Sequence, residues 1–195
     1  MDFSKDLSII ILAAGKGKRM RSETPKVLHS LCGKPMIYHI LKQVKALDPR
    51  NIFAVIGYKK HEVKKYLDSS FPQVMTADQD EQLGTAHAVM MTESYFDDMA
   101  ENILVLSGDN PLITEDTLKS LTGSMAKKDL SVSILTSIAH DPRGYGRIIR
   151  DARGKVQKIV EEKDASQSEK EIKEVNSSIY CFKKDVLVGN IKKIG

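Results

Sequence analysis

The chain predicts an α/β fold, a mixed, mainly parallel sheet covered by helices, on three observations. Apolar, β-rich runs recur at residues 9–12, 52–56, 103–106 and 132–138, and helix-period patterns fill most of the intervals between them. The first run, extended over 7–14, is almost continuously apolar, as a parallel strand buried on both faces must be. At 195 residues the chain falls within the range of one large domain with a substantial core.

The first strand runs into Leu12-Ala13-Ala14-Gly15-Lys16-Gly17-Lys18-Arg19-Met20, followed by Pro25-Lys26. Glycines let backbone N–H groups approach an anion, and Lys16, Lys18, Arg19 and Lys26 supply four cations, a composition that suits a polyphosphate. Neither common phosphate motif is present. Walker A and the Gly-x-Gly-x-x-Gly fingerprint both require glycine where Met20 stands. On spacing alone a solvated basic turn fits as well.

After Gly33-Lys34, Pro35 suits the first helical position, and Met36, Ile37, Ile40, Leu41, Val44 and Leu47 recur at helical spacing up to Asp48-Pro49. Further helices are expected over 60–67, 85–95 and 115–125, the last capped by Thr114. Residues 147–150 and 155–160 read as two arms of a hairpin around Asp151-Ala152-Arg153-Gly154. A strand over 174–182 follows, with 164–173 either a short surface helix or a loop, and Asp185-Val186-Leu187-Val188 begins another helix.

Three polar constellations stand out. Ser107-Gly108-Asp109-Asn110-Pro111 follows a predicted central strand, so Asp109 falls at the carboxyl edge where open α/β sheets bind ligands; an ion pair, a divalent-cation ligand and an Asx-turn all fit it. Gln79, Gln82, Gly84 and Thr85 form a cluster whose amides can read a base edge, although the segment taken alone reads better as a helix start with Thr85 as N-cap beside an exposed Gln82. His87 and Met90-Met91 read as helix packing. Gly144-Tyr145-Gly146-Arg147, Glu161-Glu162-Lys163-Asp164 and Asn176 offer close backbone approach, an acceptor and an amide suited to hydroxyl groups.

Composition excludes several classes. Thirty basic against 26 acidic residues give a net charge of +4, too mild and too interspersed for a nucleic-acid site, and the lysines of 59–65 read as a solvated helix face. Cys32 and Cys181 form no Cys-x-x-Cys pair, which argues against a disulfide framework or cysteine zinc site; both are expected to be small core residues in a reducing cytoplasm. No run approaches the ~20 apolar residues of a membrane span.

Taken in order, the 12–20 loop with Pro25-Lys26, Glu81-Gln82-Leu83-Gly84-Thr85-Ala86-His87, Gly108-Asp109, Gly144-Tyr145-Gly146-Arg147, Val160-Glu161-Glu162-Lys163-Asp164 and Asn176 resemble the sugar-1-phosphate nucleotidyltransferases. Within them the likeness is to the uridyltransferase domains of bacterial bifunctional N-acetylglucosamine-1-phosphate uridyltransferase/glucosamine-1-phosphate acetyltransferases. It covers about 7–182. The resemblance implies a Rossmann-like three-layer α/β/α nucleotidyltransferase fold that forms UDP-N-acetylglucosamine and pyrophosphate from UTP and N-acetylglucosamine 1-phosphate with Mg²⁺.

By the same resemblance Arg19, Lys26 and Asp109 would be catalytic, Asp109 also holding the metal. Leu12, Ala13, Ala14, Gly15, Gln79, Gln82, Gly84 and Thr85 would bind the nucleotide, and Gly146, Glu161 and Asn176 the acetamido sugar. The chain departs from the family pattern at Ser107, where an aromatic residue is usual, and at Ser177-Ser178, where the family reads Thr-Gly. The family's second metal-binding residue, an asparagine, lies beyond Gly195. The expectation is therefore one pyrophosphorylase domain over 1–195, cut short at its C-terminal end, with the acetyltransferase β-helix absent; this piece would be a monomer and the full bifunctional protein a trimer. Nucleotide binding without turnover, or a related enzyme with another nucleotide or sugar, are the alternatives.

Overall fold

The computed structural model describes residues 6–17, 20–128 and 130–193, except for the side chains of 126–128. In chain order the elements are β1 (Leu7–Ala13), β2 (Ser30–Leu31), β3 (Lys34–Pro35), α1 (Met36–Lys45), β4 (Asn51–Ile56), α2 (Lys60–Ser70), β5 (Val74–Asp78) and α3 (Thr85–Met90). They continue as β6 (Asn102–Ser107), α4 (Glu115–Lys128), β7 (Val132–Ile138), β8 (Arg147–Arg150), β9 (Val156–Val160), α5 (Gln167–Lys170), β10 (Glu174–Lys183) and α6 (Lys184–Ile191). Short 3-10 turns occupy Lys26–Leu28 and Glu93–Asp98. The chain divides into two compact units, 1–133 with 180–195, and 134–179.

In the first unit the strand order is β5-β4-β1-β6, all parallel, and residues 180–183 of β10 then pair antiparallel with β6. β1 lies inside this order, which is why its sequence is continuously apolar: Ile9, Ile10 and Ile11 are fully buried, with Ile10 in register with Phe53 and Val105. One polar residue interrupts the run, and it is satisfied, because the buried Ser8 hydroxyl accepts from the Ala100 N–H at 2.7 Å. Ile10, Phe53 and Val105 join Ala88 and Val89 of α3 and Leu187 and Ile191 of α6 in one core cluster. Helix α1 buries Ile37, Ile40, Leu41 and Val44, the expected stripe, at about 1.5–3 kcal/mol per side chain, and touches α4. Among the described residues no helix is long and apolar enough to cross a membrane.

Four local expectations are corrected. Pro35 is in β3, paired with Ser30, and precedes the helix; Cys32 and Gly33, both at positive φ (51° and 78°), make the tight turn between β2 and β3, so α1 starts at Met36. Cys32 is accordingly exposed at that turn and only Cys181 is in the core. The helix expected over 85–95 ends at Met90, because Thr92 turns back and both its N–H (3.0 Å) and its hydroxyl (2.8 Å) donate to the Val89 carbonyl. Its N-cap is Gly84 at φ 112°, which leaves Thr85 as the first helical residue. β5 has no counterpart in the predicted strands. Thr114 does cap α4, accepting from the Thr117 N–H at 3.3 Å.

In the second unit β8 pairs antiparallel with β9, and Val175 of β10 is in register with Arg147 of β8. The expected link closes through the Asp151 carboxylate, which accepts from the Arg153 and Lys155 N–H groups at 2.8 and 2.9 Å, with Gly154 at φ 78°. The segment over 164–173 contains a short helix, α5, started by a reciprocal capping box between Ser166 and Glu169.

Candidate functional site

The carboxyl edge of the parallel strands is tied together backbone to backbone. Gly108 N–H donates to the Leu12 carbonyl (2.8 Å), Tyr58 N–H to the Ala14 carbonyl (3.0 Å), and Gln79 N–H to the Ile56 carbonyl (2.7 Å). Two glycines permit the approach. A Cβ on Gly57 would sit 2.7 Å from the Gln79 oxygen and 2.9 Å from the Ala14 Cβ, and one on Gly108 would sit 2.9 Å from Val27 Cγ1. Gly15, by contrast, is exposed and has nothing within 4 Å of where its Cβ would be. Leu12, Ala13, Ala14 and Gly15 thus lie along this edge, the last with its backbone open to solvent.

Lys26 and Asp109 meet here. The Lys26 ammonium donates to one carboxylate oxygen of Asp109 and the Ser107 hydroxyl donates to the other. Burial alone would raise the Asp109 carboxyl, but the bonds from Lys26 and Ser107 and the charge of Lys26 outweigh it and hold it below its ordinary value. Asp109 is therefore an ionised carboxylate. Ser107, which departs from the family pattern, supplies one of the two bonds. Gly17, at φ 65°, packs on the Lys26 stem, where a Cβ would come within 2.9 Å. Among the described residues no three His, Cys, Asp or Glu side chains are grouped to hold a metal.

Gln79, Gln82, Gly84 and Thr85 come together at the start of α3. Gln82 Nε2 donates to the Ala14 carbonyl at 2.8 Å, joining this cluster to the end of β1. The Gly84 carbonyl accepts from Ala88 N–H at 3.1 Å and from Gln79 Nε2 at 3.3 Å. Gln79 Nε2 also lies 2.9 Å from His87 Nδ1, so His87 is a polar partner of this cluster and not only a packing residue. Gly84 and Thr85 are exposed.

Sequence reasoning missed a further group around Tyr58. The Lys16 ammonium lies 5.0 Å from the Tyr58 ring centroid, the Tyr58 hydroxyl donates to Glu23 at 2.9 Å, and Lys59 is 3.8 Å from the same carboxylate. Residues on both sides of the basic stretch are thereby attached to the turn after β4. The hydrogen bond from Tyr58, then the charges of Lys16 and Lys59, hold the Glu23 carboxyl below its ordinary value. Lys60, bonded to Asp78 at 2.8 Å and Asp80 at 2.7 Å, is raised to about 12 by those two bonds and joins α2 to the end of β5. Arg19 lies outside the described residues.

In the second unit Gly146, Glu161 and Asn176 converge. Asn176 N–H donates to the Gly146 carbonyl at 2.9 Å, and a Cβ on Gly146 would be 3.2 Å from Glu161 Oε1 and 3.6 Å from Asn176 Cβ. Beneath them Arg147, 1 % exposed, donates to the Tyr145 carbonyl, to Glu162 Oε2 at 2.6 Å and to the Lys170 carbonyl at 3.4 Å. Glu162 also accepts from Gly144 N–H at 3.3 Å, and its bond from Arg147 keeps it ionised below its ordinary value. Glu162 therefore ties the turn at Gly144 to Arg147.

The "Bifunctional protein GlmU" of Limosilactobacillus fermentum is 48% identical over 185 residues, 95% of this chain and 40% of that protein. The protein of the same name from Thermoanaerobacter pseudethanolicus is 49% identical over 176 residues, 90% of this chain and 38% of its own length. The chain thus spans about two fifths of these relatives. Among solved structures, the inositol-1-phosphate CTP transferase from T. maritima superposes with a TM-score of 0.75 at 16% identity, covering 95% of this chain and 73% of that one. CMP:2-keto-3-deoxy-manno-octonic acid synthetase, solved with CTP, gives 0.73 at 20% identity, covering 98% and 79%. These two share the Rossmann-like architecture. The family model described as "Nucleotidyl transferase" matches residues 8–194, and the chain belongs to that family.

Proposed function

We propose that the chain forms UDP-N-acetylglucosamine and pyrophosphate from UTP and N-acetylglucosamine 1-phosphate. The observation that carries this reading is the meeting of the Lys26 ammonium and the ionised Asp109 carboxylate at the strand edge that also holds Gln79, Gln82 and Gly84. Its finer part, uracil and the acetamido sugar, rests on the motif likeness and on the two relatives named above. In the reaction a phosphate oxygen of the sugar phosphate attacks the α-phosphorus of UTP. The bond from that phosphorus to the bridging oxygen breaks, and pyrophosphate leaves with the electron pair.

No covalent enzyme intermediate is required, so the protein's work is alignment of two polyanions and neutralisation of the charge that builds on the leaving group. In this reading Lys26 exchanges its carboxylate partner for the α-phosphoryl oxygens, Arg19 faces the departing pyrophosphate, and Gly15 offers its open backbone to the triphosphate. Leu12, Ala13, Ala14, Gln79, Gln82, Gly84 and Thr85 enclose the nucleoside, while Gly146, Glu161 and Asn176 take the sugar. Asp109 would hold Mg²⁺. A single ionised carboxylate, once Lys26 has turned to the phosphate, fits that ion, which prefers one or two carboxylates with water and phosphate oxygens to an all-protein cage. When bound, Mg²⁺ supplies neutralisation across the triphosphate.

The test is pyrophosphate release by this chain with Mg²⁺, UTP and N-acetylglucosamine 1-phosphate, set against a panel of other nucleoside triphosphates and sugar phosphates. Release that requires all three components, with UTP and the acetamido sugar preferred, is expected. Release with another pair and none with this one would overturn the specificity, and no release with any pair would overturn the activity.

A further inference from the structure

The amide nitrogen of Gln79 faces two polar atoms. Its Nε2 is 3.3 Å from the Gly84 carbonyl oxygen and 2.9 Å from His87 Nδ1. A carbonyl oxygen can only accept, so the end of the amide that faces Gly84 is the NH₂ group. That group has one hydrogen left, and it is directed at His87 Nδ1, which must then carry the lone pair while the imidazole proton resides on Nε2. The backbone of Gln79 is equally fixed: its N–H is bonded to the Ile56 carbonyl at 2.7 Å, its oxygen abuts Gly57, and the residue is 3 % exposed. With both amide hydrogens committed, the carbonyl oxygen Oε1 is the only part of the side chain left to read a ligand.

We propose that His87 is a positioning residue for base recognition: by accepting a hydrogen from Gln79 it keeps the Gln79 carbonyl oxygen as the base-reading atom and so selects uracil over cytosine. The inference rests on the reading that residues 79–85 enclose the base. Uracil carries a hydrogen on N3 and cytosine a lone pair there. A carbonyl oxygen accepts from the first and repels the second. Turned over, the same amide would present its NH₂ and favour cytosine. That turn would set Oε1 against the Gly84 carbonyl oxygen, which can only accept, and would forfeit the bond to His87 as long as the imidazole proton stays on Nε2.

Binding of Mg-UTP and Mg-CTP to the whole chain, measured by calorimetry for the native protein, His87→Leu and His87→Asn, tests this. Asparagine places an acceptor oxygen near the position of Nδ1, whereas leucine offers none. The UTP-to-CTP affinity ratio is expected to fall about fivefold or more in His87→Leu, the value of one lost hydrogen bond, and to return to within about twofold of native in His87→Asn. A native ratio retained in His87→Leu, or an asparagine variant with the same melting temperature as the native protein but no recovery over leucine, would overturn the role of His87 while leaving the nucleotide reading intact. A native chain that binds neither nucleotide, or CTP as well as UTP, would overturn the base reading itself. Should the leucine variant fail to fold, ¹⁵N spectra of the native imidazole still decide: a proton found on Nδ1 refutes the proposal, and one on Nε2 supports it.

Discussion

Lys26 and Asp109 stand 83 residues apart in sequence and form an ion pair at the carboxyl edge of the sheet, with Ser107 donating to the second carboxylate oxygen. Their side chains are 29% and 25% exposed, so the pair is worth less than about 1 kcal/mol of stability. Its functional weight is far greater in the proposed reaction. Asp109→Asn is expected to lower Mg²⁺-dependent pyrophosphate release by about two orders of magnitude or more while the chain stays folded. The pH dependence of its small stability cost has a definite sign. A carboxyl held below its ordinary value of 3.8 stabilises the fold fully above that value and loses the contribution as pH falls through the lower folded-state value. The difference in melting temperature between native protein and Asp109→Asn should therefore be constant from pH 5 to 8 and close below about pH 4. A difference that widens in acid contradicts the assignment.

Gly57 and Gly15 separate structural from functional need at the same edge. A Cβ on Gly57 would meet the backbone oxygens of Gln79 and Ala14 at 2.7 and 3.0 Å, and neither can move without breaking the bonds of the strand ends. Gly57→Ala should cost about 1–3 kcal/mol by overpacking. Gly15→Ala meets nothing within 4 Å and should change stability by less than about 0.5 kcal/mol. It should nevertheless weaken UTP binding, because the added carbon stands where the triphosphate would approach the backbone. Denaturant unfolding and nucleotide titration of both variants check this; tight UTP binding by Gly15→Ala excludes the loop from the phosphate site.

Those glycines also mark how far the sequence could be read. β1 and β6 are legible because a strand buried on both faces must be apolar throughout, and the position of Asp109 follows from where β6 ends. β5 is not legible: of Val74, Met75, Thr76, Ala77 and Asp78 only Val74 and Ala77 are buried, and the strand exists because β4 offers it a parallel partner. The turn at Cys32-Gly33 was hidden by a cysteine at a position usually held by asparagine or glycine. Within the site, the residue types were readable but their commitments were not. Gln82 bonds a carbonyl 68 residues away, and His87 faces Gln79 across a turn whose path is set by the φ of 112° at Gly84.

The two cysteines should behave as opposites. Cys181 is fully buried, and burial pushes its thiol up to about 12, against a smaller opposing effect from the Lys183 charge. Cys32 is exposed at the β2–β3 turn. A thiol reagent at pH 8 is expected to modify one cysteine rapidly in the native chain and the second only in denaturant, with peptide mapping placing the first at Cys32. Rapid modification of both would mean that the β6–β10 pairing around Cys181 opens readily.

Ser178 occupies the left-handed region at φ 60°, two residues after Asn176, whose side-chain oxygen accepts from the Ser178 N–H at 3.0 Å. The turn is thus held by backbone, while the exposed serine side chain adds a conformational penalty of ~1–2 kcal/mol that glycine would not have. Glycine returns part of this through the greater freedom of the unfolded chain, ~0.4–1 kcal/mol. Ser178→Gly should consequently stabilise the protein by about 0.5–1 kcal/mol, a rise of about 1–4 °C in melting temperature for a chain of this size. Ser178→Val, with a β-branched side chain at the same positive φ, should destabilise it. The hydrogen bond to Asn176 uses only backbone at position 178 and persists in both variants, so any difference between them reports the dihedral penalty. A valine variant as stable as the glycine variant would show that this turn is not held in the left-handed conformation.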